Sequence, residues 1–213
     1  MKFIPVDYDY FDFQGKNYVR IIGRDESGKK VCVIDSYEPN FWIILRDGEK
    51  ETANKVKVRL SKIKVEKAGR TSKVLRTELK DKKYLGGDVK ALQVFVTNHK
   101  DIHELTSEIG DMDEIVFRRE YDIPLITKYI KEKGIEPLRW YSVKSRELAL
   151  EDFGGIVDSL EVENCVFAES MEQIEGKEFE PKILAYDIET DGIEVGKGEI
   201  LMVSLYGKDF KIA

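Results

Sequence analysis

The stretch KILAYDIETDGI, residues 182–193, carries the chemically most informative pattern of the chain. Its apolar run, from Ile183 to Tyr186, suits a buried central strand. Asp187 and Glu189 follow two positions apart, and residues i and i+2 of a strand point to the same face. The stretch therefore predicts a strand that holds two carboxylates side by side at the edge of a core.

Two neighbouring carboxylates in a core suit a divalent cation, because burial and like charge otherwise raise the pKa of both groups. A pair of such ions, about 3.5–4 Å apart, can hydrolyse a phosphodiester. The chain has only two histidines, His99 and His103, so we expect carboxylate ligands and a hard ion, Mg²⁺ or Mn²⁺. The competing interpretation is a pair of solvated acids at a strand end.

The residues after this pair strengthen the nuclease interpretation. Thr190-Asp191-Gly192 reads as a turn, and EILMVSLYG, residues 199–207, reads as a second, antiparallel strand. A strand, a turn and an adjacent antiparallel strand match the opening of an RNase H-like nuclease fold.

The first half of the chain reads as sheet. Residues 5–13 alternate in polarity and then change parity, which predicts a bulge or a sharp twist near Tyr10. The stretches NYVRIIGR, VCVIDSY and FWIILRD, residues 17–24, 31–37 and 41–47, are β-branched and aromatic runs. Together they predict an antiparallel meander.

A basic segment follows, residues 54–83, with twelve Lys or Arg against three acidic residues. Its alternation around Val56, Val58 and Leu60 predicts a strand or hairpin with one cationic face. Such a face could contact nucleic-acid phosphates, although a charge run is more often only a solvated surface.

A strand at 90–98 then precedes Asp101, a predicted helix N-cap with Glu104 in the capping-box position. A second strand follows Gly110, and a helix from Pro124 to Lys133 ends at Gly134. Strand, helix, strand, helix in this order predicts an RNA-recognition or ferredoxin-like α+β sandwich.

Bulk properties set the remaining limits. Hydrophobic residues form 42% of the chain and charged residues 36%, which supports a packed core; the net charge is −6. Cys32 and Cys165 lie in no metal-binding spacing and are expected to be buried free thiols. With neither a signal peptide nor a membrane-spanning run in the sequence, a cytoplasmic protein without membrane partners is expected.

Several separated stretches of the sequence resemble archaeal family B DNA polymerases. ILAYDIET, residues 183–190, is similar to their first exonuclease motif, and GKGEILMVSLYG, residues 196–207, to the strand that follows it. REYDIPLITKYIKEKGI, residues 119–135, resembles the YDIP segment that precedes the exonuclease domain. Residues 6–30 and 41–47 fit the N-terminal domain of these enzymes.

The resemblance implies that Asp187 and Glu189 are metal-binding carboxylates of a proofreading 3′–5′ exonuclease. It places two further aspartates and the polymerase palm beyond Ala213, so the isolated chain is expected to be inactive. The implied partners are template DNA, with RNA as a further candidate, and the remainder of the polymerase chain or a second polymerase subunit. A sliding clamp is implied through parts outside these residues.

The resemblance also implies a pocket that captures template deoxyuracil ahead of synthesis. Matching position by position, its residues are Tyr8, Pro39, Asn40, Ile102, Ile123, Pro124, Leu125 and Lys128. Asn40 and Leu125 replace larger aromatics of the family, His99 stands where proline is frequent, and Lys128 stands where an arginine braces the site. The alternative is that Tyr8, Ile102 and Leu125 are ordinary core residues.

The expected organisation has three parts: a DNA-contacting, base-reading domain at 1–136, extra strands and an acidic linker at 137–180, and the start of an exonuclease domain at 181–213. The fold class is α+β, with an N-terminal antiparallel sheet, the sandwich, and the opening strands of an RNase H-like fold. A second hypothesis is a stand-alone single-stranded DNA- or RNA-binding module, in which Phe95 and Phe117 stack bases. A complete small metal nuclease is a third, disfavoured by the few carboxylates after Glu189.

Overall fold

The structure is a computed structural model that describes residues 1–110, 112–149, 151–155, 160–176, 179, 182–192, 194 and 196–212. The chain forms two compact units, Met1–Gly176 and Lys177–Ala213. Among the described helices, none is long and apolar enough to cross a membrane.

The elements follow one another in this order. They are β1 (Lys2–Phe13), β2 (Lys16–Asp25), β3 (Lys30–Tyr37), β4 (Asn40–Leu45), α1 (Lys50–Leu60), β5 (Lys64–Lys67), β6 (Arg70–Tyr84), β7 (Gly87–Val96), α2 (Ile102–Ile109), β8 (Ile115–Arg119), α3 (Leu125–Lys133), β9 (Trp140–Glu147), β10 (Asn164–Ile174), β11 (Leu184–Thr190), β12 (Ile200–Gly207) and β13 (Phe210–Ile212). The α+β class and most of the predicted strands are confirmed.

Unit 1 contains two modules. One of them is a closed barrel with the strand order β1-β2-β3-β10-β9, built from strands at both ends of the unit. β1, β2 and β3 are antiparallel neighbours, whereas β10 pairs with β3 in parallel. Cys32 and Cys165 are opposite each other in that pairing, and both are buried and free, as expected. The barrel is closed by β9 and β10, which lie within the range 137–180; the three-part division of the chain stays a prediction.

The second part of unit 1 is a ferredoxin-like sandwich. Its elements β4-α1-β6-β7-α2-β8 form a βαββαβ unit with the sheet order β6-β7-β4-β8, and every neighbouring pair is antiparallel. The short strand β5 extends the β6 edge. Both helices cover one face of this sheet, where their apolar residues share a core with Phe41, Ile43 and Leu92.

The sandwich topology was therefore predicted correctly, but from the wrong elements. Residues 50–60 form α1, not the expected strand: Ala53, Val56 and Leu60 are buried at helical spacing, while Val58 is exposed. The sequence Val-Lys-Val-Arg-Leu fits both the two-residue period of a strand and the 3.6-residue period of a helix. Packing against the sheet favours the helix. α3 lies outside the sandwich and packs Leu125 and Tyr129 into the barrel core.

Two strand expectations also change. β4 was expected to continue the meander of β1, β2 and β3, but it is a central strand of the sandwich sheet. The bulge in β1 lies between Pro5 and Asp7, not near Tyr10. Gly23 faces Pro5 at this point, and the absence of a side chain on Gly23 lets the two strands approach closely.

Unit 2 contains the antiparallel sheet β11-β12-β13. The predicted second strand is confirmed as β12. β11 was expected to be buried, but all seven of its residues are exposed, and Leu184, Tyr186 and Ile188 present apolar side chains to solvent. The reason is that the described residues of this unit provide one layer, whereas a core needs two.

Candidate functional site

The carboxylate pair lies on β11 as predicted. Asp187 is the register partner of Ser204 and Glu189 that of Met202, so both side chains project from the same face of the sheet. The turn that follows is fixed locally: Asp191 Oδ1 accepts a hydrogen bond from the Glu199 amide at 2.7 Å, and Thr190 Oγ1 donates to the Gly192 carbonyl at 2.7 Å.

These two carboxylates fit part of a divalent-metal site. Both offer hard oxygen ligands from one strand face, which is the donor type that Mg²⁺ and Mn²⁺ prefer. Among the described residues, however, no group of three or more Asp, Glu, His or Cys side chains is placed to hold an ion. The pair could therefore supply only some of the ligands.

The predicted base-pocket residues lie on both sides of the junction between barrel and sandwich. Leu125 is buried in the barrel core, against which Tyr8 packs, whereas Ile102 is buried in the sandwich core at the start of α2. Pro39 is buried just before β4, Ile123 is half-buried and Pro124 is exposed at the start of α3. The residues do not all share one core.

Lys128 links the two modules. Its side chain is only 5% exposed, and Nζ donates to the Asn40 carbonyl at 2.7 Å and lies 3.2 Å from the Glu120 carboxylate. Burial lowers the pKa of Lys128, an effect that the Glu120 charge opposes. The buried Lys128 side chain, which belongs to α3, binds the backbone of β4. It thereby fixes β4, the first strand of the sandwich, against α3.

Asn40 is the centre of a polar network that the sequence did not reveal. Its Nδ2 donates to both carboxylate oxygens of Glu132 at 3.1 Å, and its Oδ1 accepts from Gln93 Nε2 at 3.0 Å. Tyr37 donates to Glu132 at 2.9 Å. Glu132 and Gln93 are far from Asn40 in sequence, so no local pattern marks them as partners.

Two buried polar atoms near this junction have no hydrogen-bond partner among the described residues, namely Tyr8 Oη and Asn17 Nδ2. Burial raises the pKa of Tyr8 to about 12. Asn17 Oδ1 accepts from the His99 amide at 2.9 Å, which ties the segment before α2 to the barrel. Unpaired buried donors are costly, and a ligand with acceptor atoms is one way to satisfy them.

His99 occupies the same junction. Its ring makes an edge contact with Tyr10 of the barrel, with the ring centroids 5.9 Å apart. Burial lowers the pKa of His99, and the nearby His103 and Lys128 add to the effect. At neutral pH His99 is therefore an uncharged ring that packs between the modules.

Asp101 does not have its predicted role. No side-chain capping hydrogen bond is made at the start of α2. The buried carboxylate instead accepts two hydrogen bonds from Arg70, at 3.1 and 2.7 Å, and one from Ser72 at 2.5 Å. Glu104, expected to complete a capping box, pairs with Lys67. Both acids thus tie α2 to the β5–β6 hairpin.

The basic segment does not form one cationic face. Part of it lies on α1, and along β6 neighbouring cations point to opposite sides of the sheet. Several cations are paired with acids of the same unit, including Arg59 with Glu114, Arg70 with Asp101 and Arg76 with Glu38.

Comparison with known proteins finds a family match in the second half of the chain and a shared fold over nearly all of it. Residues 117–211 match the family model described as DNA polymerase family B, exonuclease domain. The structure of the family B DNA polymerase from the hyperthermophilic archaeon Pyrobaculum calidifontis shares the fold, with a TM-score of 0.69 over 98% of this chain and 26% of that chain, at 21% identity.

Individual relatives agree with this class. DNA polymerases of Thermococcus gorgonarius and Thermococcus kodakarensis are each 28% identical over 93% of the chain, and DNA polymerase 1 of Pyrococcus abyssi is 26% identical over the same share. The resemblance seen in the sequence is thereby confirmed: the chain is similar to archaeal family B DNA polymerases over nearly its whole length. It covers 21% of the Thermococcus gorgonarius enzyme, 10% of the Thermococcus kodakarensis enzyme and 21% of the Pyrococcus abyssi enzyme.

Proposed function

We propose that this chain is the template-contacting part of a family B DNA-directed DNA polymerase, which reads template bases and contributes the first exonuclease carboxylates. The observation that carries the proposal is the junction of barrel and sandwich. There, Lys128 donates a hydrogen bond to the Asn40 carbonyl, and in the barrel the buried Tyr8 hydroxyl has no partner among the described residues. The cytoplasm is the expected location.

The base that this junction is proposed to read is deoxyuracil. Uracil lacks the methyl group of thymine, so a close-fitting wall excludes thymine by steric clash. Cytosine presents a different hydrogen-bonding edge, which fixed backbone and side-chain groups reject. The base must leave its stack to enter, and this costs least on single-stranded template.

The test is a titration of the chain with fluorescent single-stranded DNA, in which paired oligonucleotides differ by one uracil in place of thymine. A single methyl group in a closed pocket discriminates by about 10- to 200-fold, so we expect tighter binding of the uracil strand by about tenfold. Moderate salt suppresses binding through phosphates alone.

Ile102→Gln should remove the uracil preference, because Ile102 begins α2 directly after the segment that His99 ties to the barrel. Ile109→Gln is the matched control: it places the same polar side chain in the same buried core, two turns further along α2. Loss of preference in both variants, or in neither, would argue against a pocket at Ile102.

For the exonuclease, we propose that Asp187 and Glu189 hold part of a Mg²⁺ or Mn²⁺ site. In a complete site the bound ions activate water and stabilise the leaving oxygen. The two side chains of this chain supply negative charge and fixed oxygen ligands on one strand face. The remaining ligands come from the rest of the polymerase or from a second subunit.

The apolar side chains of β11 and β12 support such a partner, since a sheet that exposes Tyr186, Leu201 and Tyr206 is normally covered by a further layer. With two carboxylates only, the polypeptide of residues 1–213 is expected to leave single-stranded DNA intact in the presence of Mg²⁺. Degradation that Asp187→Ala abolishes, and the neighbouring Asp191→Ala does not, would contradict this expectation.

A further inference from the structure

The sandwich sheet has a second face, opposite α1 and α2, on which aromatic and cationic side chains alternate. We call it the outer face. It is defined by Trp42 on β4, Phe95 on β7, Phe117 and Arg119 on β8, and Arg76, Lys82 and Tyr84 on β6; cross-strand register places these side chains on one side. We propose that the outer face binds single-stranded nucleic acid.

The centre of the outer face is an aromatic cluster covered by cations. Lys82 Nζ lies 4.3 Å from the centre of the Trp42 ring, and the Arg119 guanidinium lies 4.3 Å from that of Phe117. Tyr84 and Phe117 are neighbours, with centroids 5.3 Å apart. Phe117 remains 40% exposed, so one ring of the cluster is open to a stacking base.

Within the described chain neither Lys82 nor Arg119 forms a salt bridge with a carboxylate, unlike Arg76, which lies on the same face. Arg119 donates instead to the Tyr84 hydroxyl, at 3.1 and 2.5 Å, and to the Arg118 carbonyl at 3.0 Å. These neutral acceptors orient the guanidinium without cancelling its charge. The remaining N–H groups of Arg119 can donate hydrogen bonds to a phosphate.

The second aromatic site of the outer face is covered. Arg76 lies 3.4 Å from the centre of the Phe95 ring and is held there by Glu38, at 2.6 Å, and by Glu78. Phe95 itself is therefore closed to a base, but the flat guanidinium above it offers a stacking surface. Cations without carboxylate partners around the exposed Phe117 ring match the phosphates and bases of a single strand, and fit a purely acidic peptide less well.

The experiment uses the 213-residue chain with fluorescent 20-nucleotide dA and rA strands, which contain no uracil and therefore do not depend on the base-reading junction. Lys82→Ala and Arg119→Ala should each weaken binding and reduce the slope of log K against log salt by about 0.7 for every phosphate that the variant no longer neutralises. Lys83→Ala is the matched control, because Lys83 is the next residue on β6 and points to the opposite side.

Stacking is tested separately. Phe117→Ala should weaken binding by about tenfold, whereas Leu79→Ala, on the opposite face of the sheet, should not. Binding should change tryptophan emission, and Trp42→Phe should remove that change while Trp140→Phe keeps it. The dA and rA arms show which nucleic acid is preferred.

Equal binding by the Lys82→Ala, Arg119→Ala and Lys83→Ala variants would overturn the proposal. Displacement of the nucleic-acid strand by polyglutamate, added at the same concentration of negative charge, would also overturn it. That result would assign the outer face to an acidic protein partner. Uracil reading is measured as the ratio of uracil-strand to thymine-strand binding and the outer face as binding of dA by the parent and the Lys82→Ala and Arg119→Ala variants, so a failure of uracil reading and a failure of this proposal can be told apart.

Discussion

Buried carboxylates that receive charged hydrogen bonds fix the groups around them, and Asp101 does this at the start of α2. Its side chain is only 1% exposed and is bound by Arg70 and Ser72. The Arg70 hydrogen bonds hold the pKa of Asp101 below its usual value, in spite of the opposing effect of burial. The start of α2, which carries Ile102, is thereby anchored to β6.

Asp101→Asn should lower the free energy of unfolding by about 2 kcal/mol, because a charged acceptor is removed while Arg70 and Ser72 keep their donors. Asp88→Asn, at an exposed position of β7, is the control and should change little. Urea unfolding at pH 7 measures both. A variant as stable as the parent would contradict the anchoring role.

The pH dependence of the same residue has a defined sign. A depressed carboxyl pKa stabilises the fold above the unfolded value of 3.8, and this stabilisation is lost as the pH falls below that value. The stability difference between the parent and Asp101→Asn should therefore narrow on acidification. A difference that stays constant down to about pH 3 would be inconsistent with this assignment.

At the scale of elements, the bulge of β1 depends on a glycine of β2. A Cβ added to Gly23 would lie 2.2 Å from the Ile4 carbonyl oxygen and 2.7 Å from Phe3 Cδ2. Backbone cannot yield as a flexible side chain can, so the strands would have to separate at the bulge.

Gly23→Ala should therefore destabilise the barrel by about 2–3 kcal/mol in denaturant unfolding. Gly87→Ala is the matched control, because a Cβ there meets only the Tyr84 carbonyl, at 3.6 Å, and the residue also lies in a strand. Similar losses in both variants would show that general strand propensity, and not close approach, determines the effect.

Elements with local signals were predictable, and elements chosen by tertiary contact were not. α3 was predicted because Pro124 precedes it and Gly134 ends it in a left-handed conformation, with φ of 63°. α1 was missed because Val56, Val58 and Leu60 fit a strand as well as a helix. The parallel pairing of β10 with β3 joins residues far apart in sequence and has no local signature.

The functional residues follow the same division. Asp187 and Glu189 were found from their spacing on an apolar strand, and the strand register confirms that they share a face. The prediction that their strand is buried was wrong. The contact of Lys128 with Asn40 spans two modules. Only the family resemblance suggested these two residues, and Glu132 and Gln93 became visible through the fold alone.

At the scale of the whole molecule, unit 1 combines a barrel and a sandwich, and the proposed base-reading residues lie where the two meet. Leu125 belongs to the barrel core, Ile102 to the sandwich core, and Lys128 and His99 lie between them. A site assembled from two modules can bind a base selectively only if the modules keep a fixed position relative to each other. The Asn40–Glu132 network and the His99–Asn17 hydrogen bond provide that connection.

The most direct test of base reading at this junction is a ¹H–¹⁵N NMR titration of the chain with two oligonucleotides that differ by one uracil in place of thymine. We predict amide shift changes at Tyr8, Asn40, Ile102 and Lys128 that occur with the uracil strand and are absent with the thymine strand. Identical changes with both strands, or no change at these four residues, would contradict base reading at the junction.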